Sequence, residues 1–504
     1  MLVERQLLRE NITFSVAKEK DVNILHQLSY RSRRDEFFKF INERRSLAAK
    51  LAAHHLGVPP KACHAVEIDN WMSGSFNLCV LVTIKGFKPV IIRFPLPYRV
   101  GEGPFPGNSD EKVKCEAGAY AWLQQECPLV PIPKLYGFAL STGQCFTDVE
   151  QLPLLPRLFH RLRRWYLSFV GLPVPTRFVQ HKHRLSKELH PYLIIEYMEE
   201  GEMLSVSMQD QYDRKELRKN LFRDLSKIML SLSRVPLPKI GSFVIDDSGF
   251  LRLTNRPLTF MLQDLENENI PVDMPRDRTF ASVDSYVNSL LVCHDNRLTY
   301  QPNGISSGGD CVSQMTALAL MRTIRPEYFD SRLNHGPFFF SLTDIHASNI
   351  LVDENWNIKS IIDLEWAAAL PVEFIGTPLW LTQESIDCIN AEKYDQIRQE
   401  FMGIFIEEEK HCPADHAIQR ASTMQKSWEQ GIFWYVAGLE SPTGLHSIFY
   451  KRLQPLYDKK HAQNTDFLLM ACEYWRRNAM DFIRSRMKDK KAYDERLREA
   501  FEEH

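Results

Sequence analysis

Between Arg34 and Leu56 apolar residues recur at mostly three- and four-residue steps, as Phe37, Phe38, Phe40, Ile41, Leu47 and Leu51, until Gly57 and Pro59 end the run. The spacing predicts a helical extension over residues 1–60. From Trp71 the period shortens. LCVLVTIKG and PVIIRFPL are Val- and Ile-rich runs parted by Gly86, Lys88 and Pro89, which predicts a β-hairpin. A Gly- and Pro-rich loop at 101–108 leads into EKVKCEAGAYAWLQQEC. There Val113, Ala117, Tyr120, Ala121 and Leu123 fall largely on one helical face before Pro128, Pro131 and Pro133 stop it. KLYGFAL and PYLIIEYM read as two further strands. Residues 61–200 are therefore expected to form a small antiparallel sheet carrying one helix, with a basic insertion at 141–190.

Beyond residue 210 the helical period dominates, in LRKNLFRDLSKIMLSLSRV and VSQMTALALMRTI, with a short hairpin predicted at GSFVIDDSGFLRL around Asp247, Ser248 and Gly249. Residues 201–457 read as a larger, mainly helical unit, and 458–504 as a charged helical tail with a frayed end. A chain of 504 residues exceeds the size at which one core usually splits. An α+β, two-lobed architecture is the expectation. The larger unit holds one strongly β-like segment, FFFSLTDIHASNILVDENWNIKSIIDLEW, and the candidate chemistry lies there.

Transfer of a phosphoryl group needs a carboxylate to orient and deprotonate the attacking hydroxyl, and oxygen ligands that hold magnesium against the phosphates. Asp344 is followed five residues on by Asn349, then by ILV, a turn over Asp353 to Asn357, and the run KSIIDLEW presenting Asp363. Asp353 and Asn355 are assigned to the turn, where such side chains bond nearby backbone. TDIHASNILVD followed by IIDLEWA resembles the paired motifs of the aminoglycoside phosphotransferase and choline kinase-like family, H-G-D-x-H-x-x-N-x-x-x-D and I-D-x-x-x-A. The resemblance spans residues 65–385 and is nearest to a fungal-type branch, to which LTNRPLTF, HDNRL and FWYVAGL are also similar. It implies a protein-kinase-like fold that uses ATP and Mg2+ to phosphorylate a hydroxyl of a small molecule. By the same resemblance Asp344 is the catalytic base, Asn349 and Asp363 are the magnesium ligands, and His346 shapes the loop. Leu342 and Thr343 stand where the family pattern has His and Gly.

In such folds a loop between the first strands covers the phosphates, and a strand cation pairs with a helix glutamate. Ser73, Gly74, Ser75, Phe76 and Asn77 occupy the loop position, although a plain hairpin turn fits a single glycine almost as well. Arg93 stands where the strand usually has lysine, and Glu116 is its expected partner. The backbone from Glu196 to Met198 is the expected adenine contact. Arg93 and Leu342 keep open an alternative of another kind, a catalytically silent kinase-like binding module. Protein kinase activity is disfavoured, because LEW rather than F-G follows Asp363 and no A-P-E follows. Asn255, Arg256, His294, Asp295 and Arg297 are expected to form a buried polar network, with an acceptor pocket as the alternative.

With 62 Lys and Arg against 64 Asp and Glu, the net charge of −2 offers no global field for nucleic acid. The ten cysteines show no C-x-x-C pair and read as reduced, mostly buried thiols. The first residues lack the apolar stretch of a secretory signal and no run approaches a membrane span, so a cytoplasmic protein is expected. Local charge is another matter. Residues 157–187 are basic, Arg161, Arg163 and Arg164 among them, and contain no acid. The aromatics interleaved there are expected to pack on the small lobe, with contact to an anionic membrane surface as the alternative.

Overall fold

A computed structural model describes residues 3–182, 184–386, 388–412 and 419–502. The two Val- and Ile-rich runs pair as strands Asn77–Ile84 and Phe87–Pro95. Around them lies an eight-stranded antiparallel sheet, ordered Cys63–Ala65, Asn77–Ile84, Phe87–Pro95, Tyr192–Glu196, Leu135–Ala139, Gln144–Asp148 and Phe178–Lys182, with Met72–Ser73 added beside Asn77–Ile84. Side chains alternate across a strand. Val90, Ile92 and Phe94 therefore enter one fully buried face, while Arg93 points to the other. Arg93 sits opposite Cys79 on one neighbouring strand and Leu193 on the other, in the middle of the sheet.

The expected N-terminal helix breaks at Arg44 into Tyr30–Glu43 and Arg45–Leu56. These helices cover the sheet face that carries Val90 and Ile92, through Tyr30, Phe37, Ile41, Leu51 and Leu56. The first residues pack elsewhere. Leu7, Ile12, Ala17 and Ile24 share a cluster with Tyr493, Leu497 and Phe501 of the last helix, Ala479–Phe501. Phe501 is fully buried, so the tail is anchored rather than frayed.

The predicted helix appears as Asn108–Glu126 and lies on the opposite sheet face. It also touches the larger lobe. A Cβ on Gly118 would stand 2.0 Å from the carbonyl oxygen of Phe243, so only glycine allows this approach to the strand Ser242–Ile245. Trp122 of the same helix stacks on Phe340 with ring centroids 4.1 Å apart. Phe340 belongs to strand Phe338–Leu342, which pairs with Ala367–Pro371, and between these lie the paired strands Ile350–Val352 and Ile358–Ile361. The remaining larger lobe is mainly helical, including Lys215–Leu232, Val283–Tyr300, Gly308–Ile324, Ala391–Lys410 and Ile432–Glu440. The small β lobe with one helix and the larger helical lobe are thus the architecture the pattern predicts.

One expectation is overturned. The insertion forms a helix, Leu154–Phe169, but its aromatics do not pack on the small lobe. Phe159, Trp165 and Phe169 are 71%, 65% and 76% exposed. The basic face docks instead, as Arg157 donates to the carbonyl oxygens of Glu150 and Leu152, and Arg164 donates to that of Pro175. The side chains of Lys182 and Arg184 lie outside the described residues. Among the described residues no helix is long and apolar enough to cross a membrane.

Candidate active site

The strand Phe338–Leu342 ends in a loop whose shape is set by short-range bonds. The Thr343 hydroxyl donates to the Trp366 carbonyl at 2.5 Å, and the Asn349 amide donates to the His346 carbonyl at 2.8 Å. His346 caps the short helical turn Ala347–Asn349, its Nδ1 accepting from the Ser348 amide at 3.2 Å. Burial lowers the His346 imidazole, which faces Asp344 at 3.6 Å. The Asn349 side-chain amide donates to both the backbone and the carboxylate oxygen of Asp344, each at 3.0 Å. The Ile362 amide donates to the Asn349 carbonyl at 3.0 Å and so brings Asp363 alongside. Asp363 has φ 60°, a left-handed conformation that a non-glycine residue holds at a cost when its surroundings dictate it. Asp353 accepts from the Asn355 and Asn357 amides at 3.0 and 2.9 Å and is a turn residue.

The small lobe meets this loop through charge. Arg93 reaches Glu116 at 2.5 Å and Asp363 at 2.7 Å, and also pairs with Glu365. Glu365 in turn accepts from Lys112 at 2.5 Å and from the Asn77 amide at 2.7 Å, while Lys112 also donates to Asn77 at 2.8 Å. Two cations thus serve three carboxylates. Burial pushes Glu365 up, but Lys112 and Arg93 outweigh it and hold the carboxyl below its ordinary range. The surplus falls on Glu116, whose second oxygen has no partner among the described residues and which burial pushes up to about 7. Burial, with Glu365 and Asp363 adding to it, also pushes Asp344 up to about 7. Asp363 is raised by burial against the pull of Arg93.

Ser73 ends the short strand Met72–Ser73, and Gly74 and Ser75 form an exposed turn closed by the Gly74 amide donating to the Asn77 carbonyl at 3.0 Å. Phe76 follows inward, its ring centroid 4.8 Å from that of Trp366. Asn77 is buried beneath the turn rather than open to a ligand. Glu196 ends its strand with its amide bonded to the Lys134 carbonyl at 2.8 Å, and Met198 follows it, half-buried. The alternative role for Asn255, Arg256, His294, Asp295 and Arg297 finds no support, since none of them lines the cavity beside Asp344. Arg256 pairs with Glu111 and Glu266, Arg297 with Asp21 and Asp295 with Arg322, ties between elements of the fold.

That cavity has a volume of about 360 Å³ and is walled mainly by apolar side chains such as Phe340, Leu370, Phe374 and Phe433. Among the described residues, four polar atoms on its lining are buried without a close hydrogen bond: both Glu373 carboxylate oxygens, which lie near the backbone amides of Glu373 and Asp330, Trp380 Nε1 and Ser427 Oγ. Native structures rarely leave such groups unpaired. Glu440 adds a further carboxylate, and among the described residues no lysine or arginine lines the cavity. Burial pushes both Glu373 and Glu440 up to about 7.

No protein-family model and no curated protein sequence matches the chain. Among solved structures it is similar to a thermostable mutant of aminoglycoside phosphotransferase APH(4)-Ia, in ternary complex with AMP-PNP and hygromycin B. That match has a TM-score of 0.35 and 10% identity and covers 82% of this chain and 93% of that one. A macrolide 2'-phosphotransferase type I is similar at a TM-score of 0.33 and 9% identity, covering 84% and 93% of the two chains. At these scores the likeness carries no weight for this chain's chemistry.

Proposed function

We propose that the protein is a small-molecule phosphotransferase that moves the γ-phosphoryl of ATP to a hydroxyl of an acceptor carrying a protonated amine. One observation supports this most: Asp344 bonds Asn349 on one side and lines the 360 Å³ cavity on the other. A carboxylate at that seam can take the proton of a hydroxyl held in the cavity. Asn349 and Asp363 are oxygen donors tied together through the Ile362 amide, a set suited to magnesium, which takes one or two protein ligands and completes its shell with phosphate oxygens and water. Bound there, magnesium would neutralise charge on the phosphates. Glu116 and Glu365 fix Arg93 at the small-lobe side of the same loop, and Asn349 fixes the orientation of Asp344.

The contact between Arg93 and Asp363 favours the second reading, a silent binding module, because it occupies an oxygen that a metal needs. Nucleotide binding separates the two. Magnesium and ATP at 100 times the dissociation constant should stabilise the protein by ~2.7 kcal/mol. Asp363→Ala should remove that gain while leaving a folded protein. A wild type with no shift at any concentration supports the silent module, and a variant that keeps the full shift shows the metal ligand to be elsewhere.

The acceptor assignment has its own test in Glu373→Gln. The folded-state pKa of Glu373 is raised to about 7 from an ordinary 4.5. Its contribution to stability is therefore present in acid and lost as pH rises from about 4.5 through about 7. A shift of this size corresponds to a loss of about 3 kcal/mol, which the Gln variant should escape. The variant should be the more stable protein at pH 8 and should bind an amine-bearing acceptor about 10–100-fold more weakly, since a charge-assisted contact is lost. Unchanged affinity for such an acceptor would remove Glu373 from the site.

A further inference from the structure

We infer that the helix Leu154–Phe169 is a docking element for an anionic lipid surface. A surface helix normally turns its apolar stripe inward and its charges outward. This one is inverted. Leu155, Leu158, Phe159, Leu162, Trp165 and Phe169 recur at three- and four-residue steps, and all are between 55% and 81% exposed. Contiguous apolar surface of this kind on a soluble protein marks a contact site.

The polar face fixes the helix in that orientation. His160 is buried and bonds the Thr176 carbonyl oxygen at 2.9 Å, Arg157 bonds two carbonyl oxygens, and Arg164 bonds a third. The helix is therefore presented by the fold rather than loosely laid on it. Sixteen residues of helix extend about 24 Å, enough to lie along a headgroup layer but not to cross the hydrocarbon core.

Charge selects lipid over a protein groove as the occupant. No Asp or Glu occurs from residue 151 to residue 187, whereas eight Lys and Arg occur from 157 to 187. Only Arg161 of the four helix arginines has a carboxylate partner among the described residues, Glu150 at 2.8 Å. Arg157, Arg163 and Arg164 pair with no carboxylate among the described residues, and backbone carbonyls and the Phe250 ring contact them instead. At about 100° per residue, Arg161 and Arg163 border the apolar arc on its two sides. Trp165 and Tyr166 lie within the arc, both more than half exposed. Aromatics on the apolar face with arginines along its margins make the pattern of a helix lying in the headgroup plane, where arginine stems reach over apolar surface toward phosphate.

The test uses the full chain and two kinds of vesicle, pure phosphatidylcholine and three parts phosphatidylcholine to one part phosphatidylserine. Co-sedimentation is expected with the anionic vesicles, weakening as salt is added, and not with the neutral ones. Replacing Phe159 and Trp165 by Ser should abolish it. Arg161→Ser with Arg163→Ser should weaken it about 25-fold at low salt, from about fivefold for each charge. All four positions are surface-exposed, so the variants should keep the wild-type melting profile. Equal binding to both vesicles, or none to either, overturns the proposal. So does a concentration-dependent dimer that the Phe159 and Trp165 replacements dissolve, because a second copy would then cover the face.

Discussion

Asp344→Asn is expected to lower kcat by about 10²–10⁴-fold while leaving the affinity for ATP and magnesium within a few-fold. The substitution keeps the shape of the side chain and an oxygen that can accept from Asn349, but removes the carboxylate proposed to take the proton. Because Asp344 is pushed up to about 7 by burial and by Glu365 and Asp363, a neutral amide at this position relieves a desolvated charge, and the fold should be no less stable. ADP release and acceptor phosphorylation, each measured over a series of amine-bearing alcohols, are the readouts. Binding must be measured separately by thermal shift with magnesium and ATP, since a loss there would move Asp344 into the nucleotide site. A wild type active on any of these alcohols and an equally active variant would show that another group takes the proton.

The parts of the candidate site legible in the sequence are those whose partners lie close along the chain or at a fixed strand position. Asp344, Asn349 and Asp363 fall within twenty residues, and alternation on the strand Phe87–Pro95 alone points Arg93 away from the face of Ile92. Lys112 and Glu365 were not legible, because their contact joins positions 253 residues apart. On a helical wheel Lys112 looks like an ordinary solvated charge. Its one signal is its place four residues before Glu116, on the same side of the helix. Glu373 and Glu440 were missed for a related reason, although each stands in an apolar run, PVEFIG and VAGLE, where a solvated charge is out of place. The insertion shows a different limit. Its amphipathic period was visible, but period alone does not say which face meets the protein. Burial of the apolar face was the default, and bonds from His160, Arg157 and Arg164 to backbone carbonyls reversed it.

Glu365→Ala should be the most destabilising of these changes, by about 3–5 kcal/mol. Glu365 accepts from Arg93, Lys112 and Asn77 at once, and Arg93, Lys112 and Glu365 are all nearly inaccessible to solvent. Its removal leaves the Lys112 ammonium with Asn77 as its one hydrogen-bonding partner among the described residues, in a setting where an uncompensated charge is costly. Arg93 would keep Glu116 and Asp363, so the loss should fall mainly on Lys112. Lys112→Met in the Glu365→Ala background should therefore recover part of the stability, because it deletes the stranded charge and keeps the stem packed near Trp366. Denaturant titration of the single and double variants measures both terms, and Glu365→Gln, which keeps hydrogen-bonding atoms without the charge, serves if the alanine protein does not fold. A loss below about 1 kcal/mol for Glu365→Ala, or a double variant less stable than the single, would mean that Glu365 is not the hub that joins the small-lobe helix to the strand after Asp363.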